Sequence, residues 1–294
     1  MAARPAFPVM ENSKTIWLVR NDASGSNADE TVDALVAAFT ASGIEIAHTI
    51  AFPDDPLPDP ATLDAAGIAT LAVFAGDGTV NTLVRQLAGW QGQVLVLPGG
   101  TMNLLANLLH GTAEAGEIVA RFAEGRARRV RTPVIRSRHG DALAGVLAGP
   151  GTAWNDVREA MRQGDVLAMT GSTAAAIGES RSGPMVFCRE PPVGREAGYS
   201  LLVLTPAEAG IVVEGYYAET LADYARQGLA LLARNFRDGP HDDLGIFAAV
   251  TAGTADDSAM GLLIDGEPAE GEKLERLISG RSKVEFVATV DAGG

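Results

Sequence analysis

From residue 15 to residue 111, apolar residues fall into two alternating patterns. Near-continuous apolar runs at 15–20 (TIWLVR), 69–75 (ATLAVFA) and 93–98 (QVLVLP), with a shorter one at 44–50 (IEIAHTI), predict strands. Consecutive apolar positions are what a strand covered on both faces carries. Between the runs, Val32, Leu35, Val36 and Phe39 recur at helical spacing within 27–43, and Gly43 supplies a stop. Residues 80–90 and 101–111 read as two further helices, the second closed by Gly111. Strands and helices in strict alternation predict a parallel sheet layered with helices. The Pro/Asp-rich stretch 52–60 (FPDDPLPDP) reads as a solvated loop.

Beyond about residue 126 the texture changes. RRVRTPVIRSR and ALAGVLAGPG look like strands of one hairpin, and 152–180 reads as mostly helical. Short strand candidates follow (MVFCR, YSLLVLTP, GIVVEGYY, GIFAAVTA, GLLIDGE, KVEFVATV), interrupted by one helix at about 219–234. This predicts a second, mainly antiparallel domain. The expected fold class is therefore α/β: an N-terminal parallel-sheet α/β domain over 1–130 plus a C-terminal, mainly antiparallel β domain with inserted helices over 131–280.

Composition narrows the function classes. At 294 residues and 47% hydrophobic, the chain is long and apolar enough for two folded domains. A formal net charge of −14 argues against general nucleic-acid binding, which needs clustered positive charge. The single cysteine, Cys188, cannot form an internal disulfide, so a reducing compartment is expected. It sits in a strand-like run and reads as a small buried apolar residue. The N-terminal stretch holds prolines and no continuous apolar segment, unlike a signal peptide. No window approaches the ~20 apolar residues that span a bilayer. A cytoplasmic protein is expected, with transient contact at a membrane surface left open.

The unusual residues cluster at the strand ends. RNDASGSN (20–27) follows the first strand, His48 and Thr49 end the second, AGDGT (75–79) follows the third, and PGGTMN (98–103) follows the fourth. Ligands of open parallel sheets bind beyond the carboxyl ends of the strands. Gly76 and Gly78 leave room for a ligand beside the backbone, and the helix expected to open at Thr79 presents amides suited to phosphate. Gly99, Gly100 and Thr101 read the same way. Asp77 repels phosphate, so it holds a metal ion or accepts a proton; Mg²⁺ on nucleotide phosphates fits the first role. A Gly-Asp-Gly alone is also a common turn. No G-x-x-x-x-G-K-[ST] loop is present, nor a G-x-G-x-x-G after the first strand.

AGDGTVN followed by LPGGTMNLLANLL resembles the catalytic domain of diacylglycerol kinases, within a superfamily that includes sphingosine and ceramide kinases, bacterial lipid kinases and, more distantly, NAD kinases. Gly76, Asp77, Gly78 and Thr79, with Asn81 beyond, match the family's first signature. Gly100, Thr101 and Asn103 match its second. Residues 21–25 (NDASG) resemble its N-terminal turn, Thr49 its second-strand threonine, and LLIDGEPAEGEKLERLISGRSKVEFVATV its closing Asp-Gly-Glu segment. The resemblance implies a two-domain ATP- and Mg²⁺-dependent kinase acting on a lipid hydroxyl, with the last strand, about 280–294, able to return to the first domain. It implies ATP-site roles for Asn21, Ser24, Gly25, Thr49, Gly76, Gly78, Thr79, Gly100, Thr101 and Asn103. Asp77, Asp265 and Glu267 become catalytic or metal-binding carboxylates, the last two reaching over from the second domain. The partner is a lipid substrate at a membrane surface.

Ala75 replaces the first glycine of the signature, Asp22 a proline, and Leu104 an aspartate common after the asparagine. Two other readings therefore stay open: a kinase of a soluble acceptor such as NAD, and a silent nucleotide- or lipid-binding protein. Arg158 and Arg162 are candidates for ATP contacts or plain surface residues. Arg126, Arg128, Arg129, Arg131, Arg136 and Arg138 read first as a solvated or inter-domain face, then as a docking patch for phosphate or anionic lipid. The four histidines show no metal-ligand spacing. HDD at 241–243 is a loop or a cation site.

Overall fold

The computed structural model describes residues 14–21, 29–100, 102–149, 185–216 and 241–290. The expected helices at 152–180 and about 219–234 lie outside them, as do Ser24, Gly25, Thr101, Arg158 and Arg162. The chain divides into two units, Met1–Arg131 with Lys283–Gly294, and Thr132–Ser282.

The first unit is built on a six-stranded sheet. Its strands are β1 (Thr15–Asn21), β2 (Glu45–Phe52), β3 (Thr70–Ala75), β4 (Gln93–Pro98), β5 (Arg128–Val130) and β17 (Glu285–Ala288). The order is β2-β1-β3-β4-β17-β5; every neighbouring pair is parallel except β17–β5. All six residues of β3 are buried, because both faces of this central strand are covered. On one face Ile16, Leu18, Ala72, Phe74, Leu95 and Leu97 form a core with helices α1 (Asp29–Ala41) and α5 (Ala115–Ala123), which contribute Leu35, Phe39, Ile118 and Phe122. Helix α1 ends where its sequence says it should: Gly43 has φ +70° and the Ile44 amide reaches back to the Phe39 carbonyl at 3.0 Å.

Two helices follow the inner strands, α3 (Asp77–Gln86) and α4 (Leu104–His110). Both differ from expectation at their start: α3 opens three residues before 80, and α4 three residues after 101. A further helix, α2 (Pro60–Ala65), begins at the last residue of the stretch read as a solvated loop. Asp59 caps it by accepting from the Thr62 amide at 2.8 Å, with Pro60 in its first turn.

The second unit carries two antiparallel sheets. One has the order β12-β11-β10-β8-β14-β15, the other β7-β6-β16-β13-β9. In chain order these strands are β6 (Pro133–Ser137), β7 (Gly140–Ala142), β8 (Val146–Gly149), β9 (Val186–Glu190), β10 (Leu201–Ala207), β11 (Gly210–Tyr216), β12 (His241–Phe247), β13 (Ala249–Thr254), β14 (Gly261–Ile264), β15 (Glu267–Glu270) and β16 (Leu274–Arg281). The two sheets share one core, including Ile135, Val146, Val186, Leu202, Val213, Val250, Leu262 and Leu277. Cys188 is buried within it, and burial pushes its thiol up to about 11.

The single hairpin expected from RRVRTPVIRSR and ALAGVLAGPG is corrected. The first run splits between β5, in the first unit, and β6, in the second. The true hairpin partner of β6 is the short β7; β8 belongs to the other sheet, between β10 and β14. Gly145, at φ +158°, breaks the apolar run between them.

Candidate functional site

The carboxyl ends of β1, β3 and β4 lie at one level, because Arg20 pairs with Phe74, Phe74 with Leu97, and Ala75 with Pro98. Each of these strands hands over to a loop or a helix carrying one of the sequence motifs. Gly76 caps α3 in an extended conformation, and Asp77 is the first helical residue. The amides of Thr79 and Val80 both turn back to the Gly76 carbonyl, at 3.1 Å each. Thr79 is thus a member of the first turn rather than its opening. The first amides of a helix have no partner within it and favour anions. Here those are the amides of Asp77 and Gly78.

The two glycine loops are pressed together. A Cβ on Gly100 would stand 2.5 Å from the Cα of Gly76, and one on Gly99 would stand 2.6 Å from the Ala75 nitrogen. Gly99 and Gly100 are therefore required by backbone contact within the protein, a role additional to any space left for phosphate. Asn103 fixes the second loop: its amide accepts from the Gly100 N–H and donates to the Gly100 carbonyl, both at 2.8 Å. Asn103 itself has φ +52°, a region that asparagine tolerates better than most residues. Its side-chain amide holds the loop in shape. Ala75, in place of the signature's first glycine, is the buried last residue of β3 and keeps strand pairing with Pro98.

Asp77 links the two loops. It is half-buried, and its Oδ1 accepts a long bond of 3.4 Å from the Leu105 amide in the first turn of α4. Asn21, the last residue of β1, donates to the Thr79 hydroxyl at 2.8 Å. One edge of the first unit thereby gathers Asn21, Gly76, Asp77, Gly78, Thr79, Gly100 and Asn103. Leu105, whose amide meets Asp77, carries no signal in its side chain and was not legible in the sequence.

Thr49 is not brought to this edge. Strand β2 runs on to Phe52, which pairs with Asn21, so Thr49 sits three residues back, exposed and opposite Leu18. His48 packs edge-on against Trp17, with ring centroids 4.8 Å apart.

In the second unit, Asp265 and Gly266 form the two-residue turn between β14 and β15, with φ of +51° and +85°. Consecutive positive φ values are those of the type I′ hairpin turn, which favours Asp-Gly. Asp265 is only 4% exposed. Its carboxylate accepts from three successive backbone amides, Leu143 at 2.8 Å, Ala144 at 2.6 Å and Gly145 at 2.9 Å. The three amides bind the turn to the segment between β7 and β8. Glu267, the first residue of β15, is exposed and leads away from that anchor.

The arginine run is engaged within each unit. Arg126 meets Glu124, Arg129 and Arg131 share Glu285, and Arg128 donates to the Val290 carbonyl. Arg136 pairs with Asp141, and Arg138 with Glu272 and the buried Glu275. These partners account for the arginines as parts of each unit's own surface.

The parallel sheet with pressed glycine loops at its carboxyl edge coincides with a match to a kinase domain. Residues 15–134 match the model of the diacylglycerol kinase catalytic domain. The whole chain is similar in fold to solved structures from Bacillus anthracis str. Sterne. One, a diacylglycerol kinase, has a TM-score of 0.58 at 11% identity, covering 95% of this chain and 98% of that one. Another, provisionally described as a diacylglycerol kinase, has a TM-score of 0.59 at 13% identity, covering 96% and 97%. At this identity the likeness is one of fold. No curated protein matches the chain by sequence. Among the described residues, no helix is long and apolar enough to cross a membrane.

Proposed function

We propose that the chain transfers the γ-phosphoryl group of ATP, with Mg²⁺, to the hydroxyl of a lipid, either diacylglycerol or a sphingoid or ceramide-like lipid. The observation that carries this reading is the joined pair of glycine loops with Asp77 between two helix starts. Phosphoryl transfer asks a protein mainly for positioning and for neutralisation of phosphate charge. The amides at the start of α3 suit phosphate oxygens. Asn21 holds the Thr79 hydroxyl, and Asn103 holds Gly100, so the loops keep their shape without a ligand.

The donor chemistry of the first unit's edge fits the implied metal, because Asp77 offers the carboxylate oxygens that Mg²⁺ prefers. When bound, Mg²⁺ supplies charge neutralisation on the phosphates. Asp77 would hold the metal or take the hydroxyl proton. Removing such a proton acceptor typically costs about 10²–10⁴ in rate. Asp265 acts through the backbone it anchors. The lipid is met by peripheral contact at a membrane surface.

The test is incubation with γ-labelled ATP and Mg²⁺ and, in separate reactions, diacylglycerol, ceramide, sphingosine and NAD. The reading predicts label in one extracted lipid. Label in NAD alone, or in none of the acceptors while ATP still binds, contradicts it.

A further inference from the structure

Apart from the kinase edge, the second unit gathers a histidine and two carboxylates on one face of a strand pair. His241 and Asp243 alternate on β12, and they pair across the ladder with Tyr216 and Glu214 of β11. The His241 Nε2 lies 3.7 Å from a Glu214 oxygen and 3.6 Å from an Asp243 oxygen. One ligand atom from each of the three falls within 4.8 Å of the others.

Three features separate this cluster from a chance meeting of surface acids. First, Glu214 and Asp243 are direct cross-strand neighbours of like charge, and the His241 Nε2 reaches both of them. Second, the imidazole is oriented: Tyr216 stacks on it, with centroids 5.1 Å apart and planes 25° apart. Third, the strand beneath is pinned. Asp242, between the two candidate ligands, accepts from the Tyr199 hydroxyl at 2.8 Å, and Tyr199 is 1% exposed. That hydroxyl in turn accepts from the Arg195 amide at 3.0 Å. The ladder also slips between Val213 and Glu214, a bulge of the sort that re-aims side chains.

We propose that Glu214, His241 and Asp243 form a binding site for a divalent transition-metal ion of the Zn²⁺ or Mn²⁺ type, clipping β12, an outer strand of its sheet, to β11. One nitrogen and two carboxylate oxygens are the donors such ions accept, with water completing the shell. At metal–ligand distances near 2.0–2.1 Å, tetrahedral donors stand about 3.4 Å apart, which the observed spacings reach with small side-chain movements. Mg²⁺, which prefers oxygen alone, is not the ion of this site. The site is a structural clip, independent of whether the first unit phosphorylates anything.

The experiment uses the full chain, stripped with chelator and dialysed, and titrated with Zn²⁺ and separately with Mn²⁺ in a calorimeter, with thermal melts alongside. One equivalent of at least one of these ions is expected to bind and to raise the melting temperature, while Mg²⁺ at the same concentration does neither. His241→Ala and Asp243→Asn are each expected to weaken binding by at least about tenfold. Asp243 has an 84% exposed side chain, so its variant folds even if that of His241 does not. Absence of saturable one-equivalent binding, or unchanged affinity in Asp243→Asn, overturns the proposal.

Discussion

The backbones of Gly100 and Gly76 touch: a Cβ on Gly100 would fall 2.5 Å from the Gly76 Cα. The two motif loops therefore form one packed object. Gly100→Ala must displace one loop from the other, at a cost of about 1–3 kcal/mol, typical of overpacking. The expected outcome is a lower midpoint in urea denaturation together with a raised KM for ATP. Gly76→Ala, whose neighbour would be at 3.6 Å, is expected to be the milder change.

Asp265 gives a stability prediction that separates anchoring from catalysis. Asp265→Ala leaves three amides without their acceptor, and each buried orphan costs about 1–3 kcal/mol. The expected loss is about 3 kcal/mol or more in chemical denaturation. Full stability in this variant would show that the carboxylate serves something other than the fold.

What the sequence made legible follows from what a local pattern can encode. Strands β3 and β4 announce themselves because both faces are buried, which forces continuous apolar runs. Helix α1 is visible in its three-and-four spacing and its glycine stop. Helix α2 was overlooked although Asp59-Pro60 is a cap followed by a first-turn proline; the surrounding prolines and aspartates masked a six-residue element. The partition of RRVRTPVIRSR between two units is not written in its periodicity, since pairing with β17 or β16 is decided by residues more than a hundred positions away. The same holds at the site. The glycines and Asp77 were legible as a motif, but Asp265 shows its role only through amides some 120 residues earlier. Thr49 was misplaced because β2 extends past it, and strand length is poorly encoded in a half-exposed edge strand.

His110 ties α4 to the returning end of the chain and predicts a pH dependence. Its Nδ1 lies 3.0 Å from the Thr289 hydroxyl, and the ring is 1% exposed. Burial lowers its pKa from 6.5 to about 4, opposed in part by the Val96 carbonyl and assisted by the nearby Arg121 charge. The folded state thus binds the proton less readily than the unfolded state. The full contribution is present above pH 6.5 and is lost as pH falls through the window down to about 4. Between about pH 7.5 and pH 5 this amounts to about 2 kcal/mol. Denaturation series at the two pH values should show that loss, and His110→Phe should flatten it.

The central claim is that Asp77 serves chemistry at an edge whose shape the glycines and Asn103 maintain. The most direct measurement compares the wild-type chain and Asp77→Asn for transfer of labelled γ-phosphate to the accepted lipid, with melting temperature and ATP binding measured on the same samples. The account predicts that transfer falls by at least about 10²-fold while the melting temperature and the overall fold stay close to wild type. Transfer within a few-fold of wild type in a variant that folds and binds ATP would contradict it.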